Sequence, residues 1–206
     1  MQARPQLKLI LILFFAALIW SGIKPHDYFT WFLEVLPVLA ALAVLAFIYR
    51  RFRFTQFSYW LILLHSIVLI IGAHYTYAEV PLFNWIRDTL SLHRNSYDGV
   101  GHFSQGFFPA IIAREILLRT SPLVRGRWLS FIVVSIVLAF SAVYELVEWW
   151  ISLATGSIGD AFLGTQGDIW DTQKDMALCL LGSILSLLLL SKSHDRALES
   201  TQSSKH

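Results

Sequence analysis

The run WFLEVLPVLAALAVLAFIY, Trp31 to Tyr49, is long enough to cross a bilayer as one helix, and comparable runs recur along the chain. A hydrocarbon core about 30 Å thick takes about 20 apolar residues in helical form. Six stretches approach this requirement: Leu7–Ile23, Phe32–Tyr49, Phe57–Tyr77, His102–Leu118, Leu129–Ile151 and Met176–Ser191. One soluble core cannot hide that many apolar runs in a chain of 206 residues. Charged residues make up only 15% of the chain, against about 25% in soluble domains. The fold class expected is therefore an all-α integral membrane protein, a bundle of about six transmembrane helices. The helices form one domain over residues 1–192, and the polar residues 193–206 are expected to be a loose tail.

The fourth stretch is the least apolar. It carries Ser104, Gln105, Pro109 and the adjacent charges Arg114 and Glu115; tilt or burial between neighbouring helices would accommodate such residues, and Arg114 and Glu115 are expected at the inner rim of the span. The first stretch has a basic start and a greasy middle, but SGIKPHDYF after it offers no small-residue cleavage pattern, so it reads as a retained span. A net charge of +2 with no basic stripe argues against a nucleic-acid partner. The single cysteine, Cys179, rules out an intrachain disulfide framework and a cysteine-cluster metal site.

Basic residues set the orientation. With the N-terminus cytoplasmic, 12 of the 16 Lys and Arg residues fall at cytoplasmic ends and loops; Lys24, Arg87, Arg94 and Lys174 are the remainder. The positive-inside rule then puts both termini in the cytoplasm. The acids divide the other way. Only Glu115, Asp195 and Glu199 of the 14 are cytoplasmic, although insertion does not require this of acids.

Three segments carry the outward acids. YDGVGHFSQGF opens the fourth span with Asp98 and His102 four apart. SAVYELVEWW closes the fifth with Glu145 and Glu148 three apart, inside an apolar run. GTQGDIWDTQKDM leads into the sixth, with Asp168, Asp171 and Asp175 spaced for one helix face. All three ends point outward in the six-span topology, so the groups are expected at one depth. Clustered carboxylates repel, and a divalent cation offsets that repulsion, as do Arg94, Lys174 or shared protons. Carboxylates alone suit Mg²⁺, Ca²⁺ or Mn²⁺; with His102 added, Zn²⁺, Fe²⁺ or Mn²⁺ become reasonable.

Structural readings compete at each position. The aspartates suit helix N-capping, His102 a hydrogen-bonded core histidine, and Glu145 and Glu148 a salt-bridged or protonated pair. Trp149, Trp150 and Trp170 read most simply as an interfacial aromatic belt. Glu34, ahead of Pro37, is a candidate wall residue; of His65 and His74 on the third span, His74 lies nearer the outer end but is not expected to join the cluster. The shared side and depth of the acids is what favours a pocket.

The segments YDGVGHFSQGFFPAIIAREILLR, SAVYELVEWW and FLGTQGDIWDTQKDM closely resemble those of the YjdF-like family of bacterial inner-membrane proteins, also called DUF2238. The resemblance covers nearly the whole chain. It implies a multi-pass protein of the bacterial inner membrane and no particular reaction. The second half is also similar to VanZ-like membrane proteins, which place an Asp-x-x-x-His opening one span, a Glu late in the next and an Asp opening the last. Asp98 and His102, Glu145 or Glu148, and Asp171 or Asp175 occupy those places. The CDP-alcohol phosphotransferase motif D-G-x-x-A-R is absent, as are G-x-S-x-G and the PSGH segment of lipid phosphatases.

The leading expectation is a metal-assisted reaction on a lipid-linked or envelope substrate, by phosphoester hydrolysis or transfer. His102, Glu145, Asp171 and Asp175 would hold one divalent ion, Glu148 would be the general base, and Asp98 and Asp168 would support the ligands. Membrane lipid is the surrounding partner. The alternatives are a proton- or cation-coupled transporter using the same acids, or a non-catalytic envelope-associated protein in which the cluster is structural.

Overall fold

A computed structural model describes residues 3–156 and 165–203. Within them the chain forms seven helices and no strands: α1 (Ala3–Ser21), α2 (Tyr28–Ile48), α3 (Gln56–His74), α4 (Pro81–Leu90), α5 (Tyr97–Thr120), α6 (Arg127–Thr155) and α7 (Asp171–Ser203). Each of the six expected apolar stretches falls on one helix, and α4 is additional. Four helices, α2, α3, α6 and α7, are long and apolar enough to cross a membrane, and α1 is a shorter apolar helix. Helix α5 is more polar and packs between α3, α6 and α7.

Local chemistry sets the boundaries. Asp27 caps α2 by accepting from Thr30 N at 2.7 Å, and Thr55 caps α3 by accepting from Ser58 N at 3.2 Å. Helix α4 begins at Pro81, whose missing N–H costs nothing in a first turn, and ends where Ser91 adopts a left-handed conformation, φ 52°. Ten residues rise only about 15 Å, too short to span, so a search for membrane-length runs passes over α4.

Two contacts bring α5 and α7 together almost backbone to backbone. A Cβ placed on Gly106 would lie 2.0 Å from the Cys179 carbonyl oxygen, and one on Gly182 would lie 2.3 Å from that of Phe103. Small residues at such crossings allow close van der Waals packing where lipid supplies no hydrophobic drive between helices. Around this pair, Ala110, Leu129, Val133, Val137 and Cys179 make one apolar core, while Ile10, Phe14, Val38, Leu63 and Ile70 join α1, α2 and α3 in another.

The tail corrects the sequence reading. Rather than loosening after residue 192, α7 continues to Ser203, with His194 fully buried and Leu198 buried. The cause is a polar knot that the hydropathy pattern does not display. Arg114 Nη2 donates to Asp195 at 2.8 Å, and Arg125 Nε pairs with the same carboxylate at 3.1 Å. The Glu115 carboxylate, fully buried, accepts from Thr55 N and Oγ1 (both 2.8 Å), Ser58 Oγ (2.5 Å) and Arg119 Nη1 (2.6 Å). Residues 204–206 of the tail lie outside the described residues.

Candidate functional site

The opposite end of α5 and α7 holds the acids singled out from the sequence. Asn95, just ahead of α5, is tied to the segment before α7: its N–H donates to Gln166 Oε1 at 3.1 Å, and Gln166 Nε2 returns a bond to the Asn95 carbonyl at 3.1 Å. Asn95 Nδ2 also holds Asn84 of α4 at 2.8 Å. This clamp brings residues 165–171 over the first turns of α5. Phe162 to Gly164 of the FLGTQGDIWDTQKDM motif lie outside the described residues.

Arg94 is the cation of the site. It donates to Asp171 through Nη1, bonds the Thr165 carbonyl at 3.2 Å, and lies 3.6 Å from Asp98 and 3.7 Å from Asp168. Asp168 belongs to this periphery. Its carboxylate accepts from Lys174 Nζ at 2.5 Å and from Trp170 N at 3.0 Å, and the Lys174 ammonium chiefly holds it below its ordinary pKa. Asp171, read from sequence as a ligand, is engaged by the guanidinium.

Behind this ring, His102, Asp98 and Asp175 converge. One ligand atom from each lies within 4.8 Å of the others. His102 Nε2 is 3.6 Å from Asp98 Oδ1 and 3.4 Å from Glu145 Oε1. His102 and Asp175 are more than nine-tenths buried, and His102 Nδ1 and Asp175 Oδ1 have no hydrogen-bond partner. Glu148, on the same helix as Glu145, lines a cavity of about 90 Å³ with Asp98, His102, Glu34, Tyr77 and Tyr144. Asp175 instead faces a larger, open cavity of about 860 Å³, which also takes in Arg94, Asp168, Lys174, Val100, Phe103 and Leu178. All seven residues singled out from sequence thus occupy one end of the bundle: Asp98 and His102 line the small cavity, Asp175 the larger one.

Other residues complete the site. Arg94, expected from sequence as one of several possible counter-charges to the acids, reaches them from a loop. Tyr77 adopts φ 54°, and its ring occupies a slot between glycines: a Cβ on Gly72 would come within 2.4 Å of the ring and one on Gly101 within 2.8 Å. Only glycine leaves room there. Tyr144 Oη donates to Glu34 Oε2 at 3.2 Å, which accounts for one acid inside the apolar start of α2. His65 reaches the same cavity and contacts Ser104 Oγ at 3.1 Å. His74 stays out, its Nδ1 2.9 Å from the Ser21 carbonyl oxygen and its ring against Trp20.

A helical bundle with several membrane-length helices and ionisable groups gathered inward at one end is a multi-pass membrane protein. Residues 6–196 match the family described as "Predicted membrane protein (DUF2238)", and the chain belongs to that family. It is 49% identical over 182 residues to the inner membrane protein YjdF of Escherichia coli (strain K12), covering 88% of this chain and 87% of that protein. Its location is accordingly the inner membrane. No solved structure matches the chain.

Proposed function

We propose that the outward cluster binds one divalent cation and acts on a lipid-linked or envelope phosphoester, by hydrolysis or transfer. The observation that carries this reading is the meeting of Asp98, His102 and Asp175, with Asp175 Oδ1 buried and without a hydrogen-bond partner. Three atoms mutually 4.8 Å apart lie about 2.8 Å from a common centre, against 2.0–2.2 Å for a bound ion, so an inward shift of less than about 1 Å by each suits the trio. One imidazole among carboxylates fits Zn²⁺, Mn²⁺ or Fe²⁺, with Mg²⁺ weaker. Glu145, beside His102, completes the set, and Asp171 adjoins it through Arg94. When bound, such an ion supplies Lewis acidity and a more acidic water. Glu148 takes up the proton from the side of the small cavity. The larger cavity offers Arg94 and Lys174 to a phosphate, beside apolar walls from Val100, Phe103 and Leu178 for a lipid-like tail.

The topology within this reading is six spans, α1, α2, α3, α5, α6 and α7, with both termini cytoplasmic and α4 lying along the outer surface. The basic-residue distribution supports it. Cys179 is buried, so single cysteines introduced at Ser91 and Gly126 report sidedness cleanly. A membrane-impermeant thiol reagent should label the first from outside and spare the second.

The test of the site joins metal analysis to turnover. Purified protein should carry about one transition metal per chain, and His102→Ala or Asp175→Asn should lose it. Glu148→Gln should keep the metal while turnover on a lipid phosphoester falls about 10²-fold or more. A metal-free protein, indifferent to Asp175→Asn and Glu148→Gln, would sink the proposal.

A further inference from the structure

At the other end of the bundle, α1 and α2 both lean on α3, leaving a groove between them floored by α3. Its volume is about 340 Å³, and Leu7 and Phe14 of α1, Val38, Ala46 and Tyr49 of α2, and Leu63 of α3 mark its course. The groove's lining carries almost no unmet polar demand: the Ser66 hydroxyl at its deep end donates to the Ile62 carbonyl at 2.8 Å. From Val38 to Tyr49 the groove follows α2 for about 17 Å, close to half of a ~30 Å hydrocarbon core. It is therefore one leaflet long. A transmembrane helix about 10 Å wide would need roughly four times the volume over that length; one extended hydrocarbon chain needs far less.

Charge selects the head. Arg50, Arg51 and Arg53 follow directly on Tyr49, and Lys8 follows Leu7 at the same mouth; all four are exposed. Among the described residues no carboxylate is within ion-pair distance of any of them. The Arg53 guanidinium lies 4.8 Å from the centre of the Tyr49 ring, over the groove's end. Arg94, Arg114, Arg119, Arg125 and Lys174 have acidic partners, and the other cations without one among the described residues, Lys24, Arg127, Lys192 and Arg196, are not gathered at an apolar groove. Four unpaired cations around the mouth of a one-chain apolar groove define an amphiphile with a negative head.

We infer that this groove is a binding site for one anionic phospholipid, with an acyl chain between α1 and α2 and the phosphate at Arg50, Arg51 and Arg53. The inference does not depend on the outward cluster, which lies at the far end of the bundle.

The experiment uses the full chain, delipidated in mild detergent and offered phosphatidylglycerol or phosphatidylethanolamine, with retained lipid counted by native mass spectrometry. The wild type should keep one phosphatidylglycerol and discriminate against phosphatidylethanolamine. Arg50→Gln with Arg51→Gln, exposed positions that leave packing intact, should cut phosphatidylglycerol retention about tenfold. Ala46→Trp, which fills the groove, should abolish retention of that lipid. Equal retention of both lipids by the wild type, or undiminished phosphatidylglycerol in the arginine variant, overturns the inference.

Discussion

Arg114 Nη1 meets His194 Nδ1 at 2.7 Å. A guanidinium can only donate, so Nδ1 accepts and the imidazole carries its proton on Nε2, which faces Glu115 Oε2 at 3.3 Å. The histidine thus relays one helix's cation to the same helix's anion. Glu115 is the acceptor on which Thr55, Ser58, Arg119 and His194 all converge. Replacing it with Ala strands several buried donors, and stability should fall by about 3–5 kcal/mol. Chemical denaturation in detergent measures this, with His194→Ala expected to cost less because Glu115 keeps its other partners.

The contact between α5 and α7 predicts a steep dependence on one methyl group. Gly106→Ala puts a carbon against the Cys179 backbone, which cannot yield as a side chain does. The expected loss is about 1–3 kcal/mol, read as a lower melting temperature and less monodisperse protein. Gly126→Ala, with nothing within 4 Å of the new carbon, is the matched control and should melt like the wild type.

Arg94 balances three carboxylates, so Arg94→Gln should destabilise this end of the bundle by about 1–3 kcal/mol, less than for a fully buried pair because the guanidinium is partly exposed. Millimolar Mn²⁺ should restore part of that loss, because a divalent ion then supplies the missing positive charge. Thermal unfolding with and without the ion reads both effects.

The Asp27 cap gives a pH signature. Its pKa is lowered from an ordinary 3.8, chiefly by the backbone hydrogen bond from Thr30. A carboxyl with a lower pKa folded than unfolded stabilises fully above the unfolded value and ceases to do so as pH falls through the folded one. The first turn of α2 should therefore exchange its amide hydrogens faster below about pH 4, after correction for intrinsic rates. Asp27→Ala should show that faster exchange at neutral pH, at a cost of about 1 kcal/mol.

The apolar runs announced six of the seven helices because membrane insertion is decided by local composition, which a window of residues contains. Asp98, His102 and Asp175 lie at two helix starts, those of α5 and α7, which the sequence motifs mark. The partner of Asp171 is not so marked, because Arg94 reaches it across 77 positions of sequence through a loop clamp. The helical tail was hidden for the same reason. HDRALES reads as solvated chain until Arg114 and Arg125 are seen to hold Asp195, and His194 to be buried beside Glu115. Helix α4 was missed for another cause, since ten mixed residues satisfy no membrane-length criterion.

The tight crossing at Gly106 and Cys179 lies between the carboxylate end and the Glu115–His194 end of the same two rods. It works as the pivot of a pair of shears. Any rotation of α5 against α7 that parts the blades at Asp98 and Asp175 must bring the handles at Arg114 and His194 into a new alignment.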